Sequence, residues 1–178
     1  YLGTMQDYGR LADPADYADR RVVGCNPCAE MALESGELCN LVETYPAHHE
    51  SYEEYERTLK YAYLYAKTVT LLPTHDQETN AIMMRNRRIG VSQSGIMQSF
   101  AKHGRRTHLD WSDQGYQYLA RLDRIYSDWL AVPLSKRRTT VKPSGTVSKL
   151  CGATAGIHYA PAEHYIQRIL FADGTPLL

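Results

Sequence analysis

The sequence predicts an α/β fold with parallel strand pairs. Short β-branched or apolar runs at 21–24, 88–92 and 138–141 alternate with longer stretches whose apolar residues recur three and four apart. The chain of 178 residues is long enough for one domain with a real core. It contains no internal repeat and no low-complexity stretch.

Residues 1–21 carry Asp-Pro and repeated Asp and Arg, and read as a polar loop or short helix leading into the core. A short strand over 21–24 then feeds a cysteine-bearing turn. From 29 to 43 the pattern is mixed and broken by Ser35-Gly36, so loop and short segments are expected. Ser51 opens a capping box with Glu54. Behind it Tyr52, Tyr55, Leu59, Ala62, Ala66 and Val69 form one helical stripe, giving a helix to about residue 72 closed by Pro73. A shorter helix is expected over 77–85, a buried strand over 88–92, and a helix over 96–103 ended by Gly104. Ser112 is placed as the cap of a long helix whose Tyr116, Leu119, Leu122, Ile125, Tyr126, Trp129 and Leu130 share a face, with Pro133 closing it. A strand over 138–141 runs into Lys142-Pro143-Ser144-Gly145-Thr146, and a last strand is expected over 165–171. Fourteen tyrosines against two phenylalanines, mostly in helical patterns, read as amphipathic rings at a core edge.

Twenty basic and twenty acidic residues leave no basic excess for nucleic-acid binding. No apolar run approaches membrane-spanning length, and no secretory signal segment opens the chain. It begins without Met and ends directly after an apolar run, so the expectation is a cytoplasmic fragment of a longer protein. Four cysteines without secretory context read as thiols or ligands rather than a disulfide framework.

The chemistry concentrates in Gly24-Cys25-Asn26-Pro27-Cys28-Ala29-Glu30 and, a little later, Leu38-Cys39-Asn40-Leu41. Pro27 restricts both itself and Asn26, so the run is a shaped turn presenting thiol, amide and carboxyl groups together. Cys25-x-x-Cys28 with Cys39 and Cys151 has the residue types for zinc, but the second half of the pattern lacks close spacing. The same Cys-x-x-Cys has the form of a dithiol oxidoreductase, which leaves Glu30 and Cys39 unexplained. Cys151 by itself reads as a small buried thiol.

Lys142 to Thr146 offers free amides, two hydroxyls and a Gly, the parts of a phosphate cradle if a helix start follows; the Walker A spacing is absent. A plain turn fits as well. Arg85, Arg87 and Arg88 are secondary candidates for holding phosphates, and Lys136-Arg137-Arg138 reads as a solvated strand entry. The seven histidines show no metal-binding spacing.

Taken together, Asn26-Pro27-Cys28-x-Glu30, Cys39-Asn40-Leu41, Arg88-Ile89-Gly90-Val91-Ser92 and Pro143-Ser144-Gly145-Thr146 occur in the order found in ribonucleotide reductases. The chain resembles the adenosylcobalamin-dependent class. More narrowly, it is similar to the monomeric ribonucleoside-triphosphate reductases through Glu37-Leu38-Cys39-Asn40-Leu41-Val42-Glu43 and Thr140-Val141-Lys142-Pro143-Ser144-Gly145-Thr146-Val147.

The resemblance implies part of a ten-stranded α/β barrel with a central finger loop, here about 22–43, and a substrate-phosphate loop at about 142–147. The other half-barrel and a C-terminal region are expected outside the chain, as is any recognisable allosteric nucleotide site. It further implies that Cys28 carries a thiyl radical generated from adenosylcobalamin and removes the ribose 3′ hydrogen. Glu30 would be the general base, Asn26 would bind the sugar or orient Glu30, and Cys39 would be one member of the reducing pair. The other member is expected upstream of residue 1. Pro143, Ser144, Gly145 and Thr146 would meet the substrate phosphates. The implied partners are a ribonucleotide and a thioredoxin-like dithiol, with a monomeric parent enzyme and no resident metal ligand set. The alternative is a dithiol or zinc module using Cys25 and Cys28.

Overall fold

The computed structural model describes residues 19–160 continuously, together with residues 3, 162–166, 168, 170 and 174. The cysteine run forms the tip of a hairpin. Strand β1, Gly24–Cys25, pairs antiparallel with β2, Ala32–Leu33, in the register Gly24↔Leu33 and Cys25↔Ala32. Between them Ala29 N donates to Asn26 O at 2.9 Å, which puts Pro27 at the second position of a β-turn. Proline's fixed φ suits that position. Ala29 leaves the turn in the left-handed region, at φ 59°.

Strand β3, Asn40–Thr44, pairs parallel with β4, Ile89–Gln93, from Asn40↔Ile89 to Thr44↔Gln93. A parallel pair requires a long crossover. Helices α1, Tyr52–Val69, and α2, Gln77–Asn86, supply it. On the other side of β4 the 138–141 run is reduced to a single parallel bridge, Val91↔Thr139. It keeps the expected direction: Ile89 N donates to Arg137 O and Thr140 N donates to Val91 O.

Ser51 caps α1 as expected, accepting from Glu54 N at 3.4 Å. The reciprocal arm differs from the standard box, because the Glu54 carboxylate accepts from Glu50 N at 2.9 Å. The helix stops at Val69 rather than residue 72. There the chain tightens, with Leu71 N bonded to Thr68 O and Leu72 N to Val69 O. Asp76 caps α2 through Thr79 N at 2.8 Å.

Helix α3, Ile96–His103, lies where expected, but α4 spans Arg105–Leu130 and starts seven residues before Ser112, the anticipated cap. Gly104, at φ 84°, turns the chain sharply enough to end one helix and begin the next. Ser112 sits inside α4 and bonds back to His108 O at 2.8 Å. The additional turns place His108 and Trp111 on the same buried face as Gly115, Leu119, Leu122 and Tyr126.

The core joins Tyr55, Leu59, Tyr63 and Ala66 of α1 to Trp111, Leu119, Leu122 and Tyr126 of α4, over Ile89 and Val91 of β4. Gly115 permits this approach, because a Cβ there would lie 2.8 Å from Leu59 Cδ1. Tyr55, Tyr63 and Tyr126 are core residues rather than edge rings, whereas Tyr61 and Tyr65 do face outward. The helix stripe also carries a charge. Lys67 is fully buried and donates to Asp123 Oδ1 at 2.8 Å, Ser135 Oγ at 3.0 Å and Pro133 O at 3.1 Å.

Strand alternation divides the sheet. Val42, Ile89 and Val91 face the helices. Gly90 faces the hairpin, where a Cβ would meet Leu41 and Met31 at 2.6 Å. Glu43 and Ser92 share that second face by strand period. The expected strand over 165–171 falls partly outside the described residues. Its described members Tyr165, Ile166, Arg168 and Leu170 are exposed and not in a strand. The expected loop or helix over 1–21 lies, but for residues 3 and 19–21, outside the described residues.

Candidate active site

Four of the expected residues come together at the hairpin and the start of β3. Asn26 Oδ1 accepts from Met31 N at 3.0 Å, which stiffens the tip, and Asn26 Nδ2 donates to Cys39 Sγ at 3.6 Å. Asn26 therefore ties the hairpin to Cys39. Among the described residues no bond links its amide to Glu30, the alternative orienting role. Cys28 is exposed at the tip and Cys39 is half-buried beside it.

Glu30 is held through its backbone by Thr140 Oγ1 at 2.6 Å. Glu30 lines a cavity of about 440 Å³ between the hairpin and the helices, with Met31, Gln93, Tyr116 and Thr140 among the walls. One carboxylate oxygen, Oε2, is buried with no hydrogen-bond partner among the described residues. A buried polar atom without a partner is costly, so this oxygen suits an incoming ligand.

Burial pushes the Cys39 thiol up to about 11. The negative charge of Glu30 adds to the effect, as do Cys28 and Glu37 more weakly, and Lys142 opposes it. Cys39 is therefore protonated at neutral pH, the form that can give up a proton. Because its folded value is raised, the stability this contributes is present below about pH 9 and is lost as pH climbs toward 11. Iodoacetamide at pH 8 is accordingly expected to label exposed Cys25, Cys28 and Cys151 well before Cys39, whose rate should keep rising to about pH 11. Equal labelling at pH 8 would contradict this environment.

The second cluster is the loop after residue 141. Helix α5, Val147–Leu150, follows it directly. Ser144 is buried and adopts φ 39°, whereas Gly145 and Thr146 are exposed. Lys142 N donates to Ser92 Oγ at 2.7 Å. Gly156 lies so close under the loop that a Cβ there would meet Lys142 O at 2.6 Å.

Sequence reasoning missed the residue beneath this loop. Glu43 accepts from Ser144 Oγ at 2.6 Å and Tyr45 Oη at 3.0 Å, and pairs with Lys142 Nζ at 3.2 Å. The Tyr45 hydroxyl is held well above its usual range by burial, then by the Cys151 thiol and Glu43. Cys151 is exposed rather than buried, since it lies in the turn after α5. The advance signal for Glu43 was its place at the end of the Glu37–Glu43 motif.

The basic candidates are corrected. Arg88 is fully buried between Asp19 at 2.8 Å and Glu37 at 3.0 Å, Arg85 pairs with Glu34 at 2.5 Å, and Arg87 bonds Thr70 O. These side chains are committed to structure, not to phosphate. Arg137 and Arg138 are also buried, not a solvated strand entry, with Arg137 3.5 Å from Asp19 and Arg138 3.3 Å from Tyr116 Oη. A charge leaves water only with partners: Asp19 serves both Arg88 and Arg137, and Glu37 serves Arg88.

The dithiol alternative also loses its basis. Cys25 ends a hairpin strand and Cys28 lies in the turn itself, neither at the helix start that depresses a thiol in such modules. Among the described residues, no three His, Cys, Asp or Glu side chains gather as a metal site.

Comparison places this arrangement. No family model matches the chain. A solved structure of a B12-dependent, class II ribonucleotide reductase superposes with a TM-score of 0.78 at 32% identity, over 87% of this chain and 25% of that one. The α/β fold and its hairpin thus match part of the class II ribonucleotide reductases. Within that class, the chain is similar along its whole length to the ribonucleoside-triphosphate reductases. It is 54% identical to the probable adenosylcobalamin-dependent ribonucleoside-triphosphate reductase of Dictyostelium discoideum and 49% identical to the adenosylcobalamin-dependent ribonucleoside-triphosphate reductase of Euglena gracilis, over 100% of the chain in each case. The corresponding Lactobacillus leichmannii enzyme is 36% identical over 99% of the chain. The chain spans 24–28% of the length of these relatives.

Proposed function

We propose that the protein holding this chain reduces ribonucleoside triphosphates to 2′-deoxyribonucleotides by thiyl-radical chemistry, and that residues 22–43 and 142–147 are the finger and phosphate loops of its catalytic domain. The carrying observation is the cluster in which Asn26 touches Cys39 while the charge of Glu30 and the Cys28 thiol act on that same cysteine.

Exposure of Pro27, Cys28 and Ala29 at the tip fits a bulky external radical source, and these residues would face adenosylcobalamin. When bound, that cofactor would supply the one-electron chemistry by which Cys28 loses its thiol hydrogen. The Cys28 sulfur then removes hydrogen from the ribose 3′ carbon, forming S–H and leaving a carbon radical. Glu30, through its unpartnered oxygen, takes the 3′-hydroxyl proton. Cys39 gives its proton to the departing 2′-hydroxyl, which leaves as water. The two electrons come from Cys39 and a second cysteine, whose hydrogen forms the new C2′–H bond as the two sulfurs close to a disulfide, while Glu30 returns its proton to the 3′ oxygen. The 3′ hydrogen returns from Cys28, restoring its radical. A thioredoxin-type dithiol then reduces the disulfide.

Among the described residues no helix is long and apolar enough to cross a membrane. The four free thiols fit the reducing cytoplasm. The proposed parent enzyme is monomeric, as the resemblance read from the sequence implies.

The test is reduction of each ribonucleoside triphosphate by the full-length protein with a dithiol, with and without adenosylcobalamin. Deoxynucleotide formed only with the cofactor is expected. Reduction without it, or a reversible low-potential Cys25–Cys28 disulfide in a protein that reduces no nucleotide, would overturn the proposal. In the active protein Glu30→Gln is expected to lower kcat by about 10²–10⁴-fold with little change in KM, the range for losing a general base.

A further inference from the structure

We infer that Glu43 is the positioning residue of the phosphate loop: its carboxylate engages the Ser144 hydroxyl and fixes the loop so that Gly145 and Thr146, not Ser144, meet the nucleotide. The inference rests on reading residues 142–147 as the phosphate loop.

A serine hydroxyl has one proton to donate. In Ser144 that proton goes to Glu43 Oε2 at 2.6 Å, while Ser144 Oγ itself accepts from Ser148 N at 3.1 Å. Ser144 is also 2% exposed, so no hydrogen of its side chain remains for a phosphate oxygen. Its φ of 39° lies in the left-handed region, which a residue with a Cβ enters at a cost. The bond to Glu43 offsets that cost and selects this loop conformation.

An unneutralised carboxylate beside an anion site would repel the ligand. Glu43 has a counter-charge and two donors: Lys142 Nζ lies 3.2 Å from Oε1 as a charge contact, although Oε1 has no hydrogen-bond partner among the described residues, and Tyr45 and Ser144 donate to Oε2. Its side chain is 6% exposed, which places it under the loop rather than at the surface. Glu43 and Ser92 are register partners near the C-terminal ends of β3 and β4. Ser92 holds Lys142 N at 2.7 Å, so the paired strands grip the loop at two points. Gly145 lies between these anchors and α5, with nothing within 4 Å of the place its Cβ would occupy.

The test uses the full-length enzyme with adenosylcobalamin and a dithiol, comparing kcat and KM for the ribonucleoside triphosphate with inhibition by the unphosphorylated nucleoside. Glu43→Gln and Ser144→Ala are each expected to raise KM about tenfold, the scale of one charge-assisted hydrogen bond, with kcat nearly unchanged. The double variant should be no worse than either single one, because both remove the same bond. Nucleoside inhibition should not move. Gly145→Val, which adds bulk at the open position, should raise KM whenever the loop contacts phosphate. A normal KM in Gly145→Val would overturn the phosphate-loop reading and this inference with it. A raised KM there, with a normal KM in Glu43→Gln or additive single effects, would overturn the positioning role alone. Should Glu43→Gln fail to fold, Ser144→Ala carries the same comparison.

Discussion

Replacing Cys28 with Ala is expected to abolish nucleotide reduction in the full-length protein, by at least about 10³-fold, while leaving nucleotide affinity within about twofold. The hydrogen abstraction from the ribose and its return both occur at this sulfur, and no other described thiol takes its place. Cys25 is on β1, before the turn, and Cys39 is held by Asn26 with its proton retained. The exposed tip has little packing to lose, so Cys28→Ala should unfold at the wild-type urea midpoint. Measured kcat, nucleotide affinity and urea midpoint together check this. Retained turnover would remove Cys28 from the chemistry, and a falling midpoint would make the loss a folding effect.

The largest stability effect is expected at the Lys67–Asp123 pair. Both side chains are at most 2% exposed, and Asp123 also accepts from Ser135 N at 2.9 Å. Asp123→Ala leaves the Lys67 ammonium buried without its counter-charge, among groups arranged for an ion pair. The expected cost is about 3–5 kcal/mol, the range for breaking one partner of a buried pair. Desolvation already lowers the Lys67 pKa, so the variant should regain part of the loss at alkaline pH, where the unpaired lysine sheds its proton. The double variant Lys67→Met, Asp123→Leu should recover much of the stability, because apolar replacements of a buried pair are often neutral or better. Urea midpoints of the wild type and the two variants decide the matter. Equal midpoints for wild type and Asp123→Ala would show that water reaches the pair.

Legibility in the sequence followed the range of the physics. Local rules were readable: Asn26-Pro27 announced the turn, Ser51 and Glu54 the start of α1, and the three-and-four spacing its buried face. The start of α4 was misplaced because Ser112 has the chemistry of a cap yet bonds backward inside the helix, and Gly104 served as both stop and start. Buried charges were unreadable, since their partners are distant. Lys67 meets Asp123 56 residues on, Arg88 meets Asp19 69 residues back, and Ser144 meets Glu43 across 101 residues. No periodicity records such pairs. The arginines therefore passed for phosphate ligands, and Glu43 for the last residue of a mixed, loop-like stretch. At the site, the motif order and the resemblance it carried gave the residue types, but not the commitment of the Asn26 amide or the Ser144 hydroxyl to other protein groups.

The central claim is that Cys28 carries the radical, and freeze-quench electron paramagnetic resonance of the full-length protein tests it most directly. Samples would be mixed with adenosylcobalamin and a ribonucleoside triphosphate, using protein grown on ordinary cysteine or on cysteine deuterated at the β carbon. The account predicts a rapidly formed signal that deuteration narrows and that Cys28→Ser lacks. The same deuterium-sensitive signal in Cys28→Ser would contradict it and move the radical to another residue.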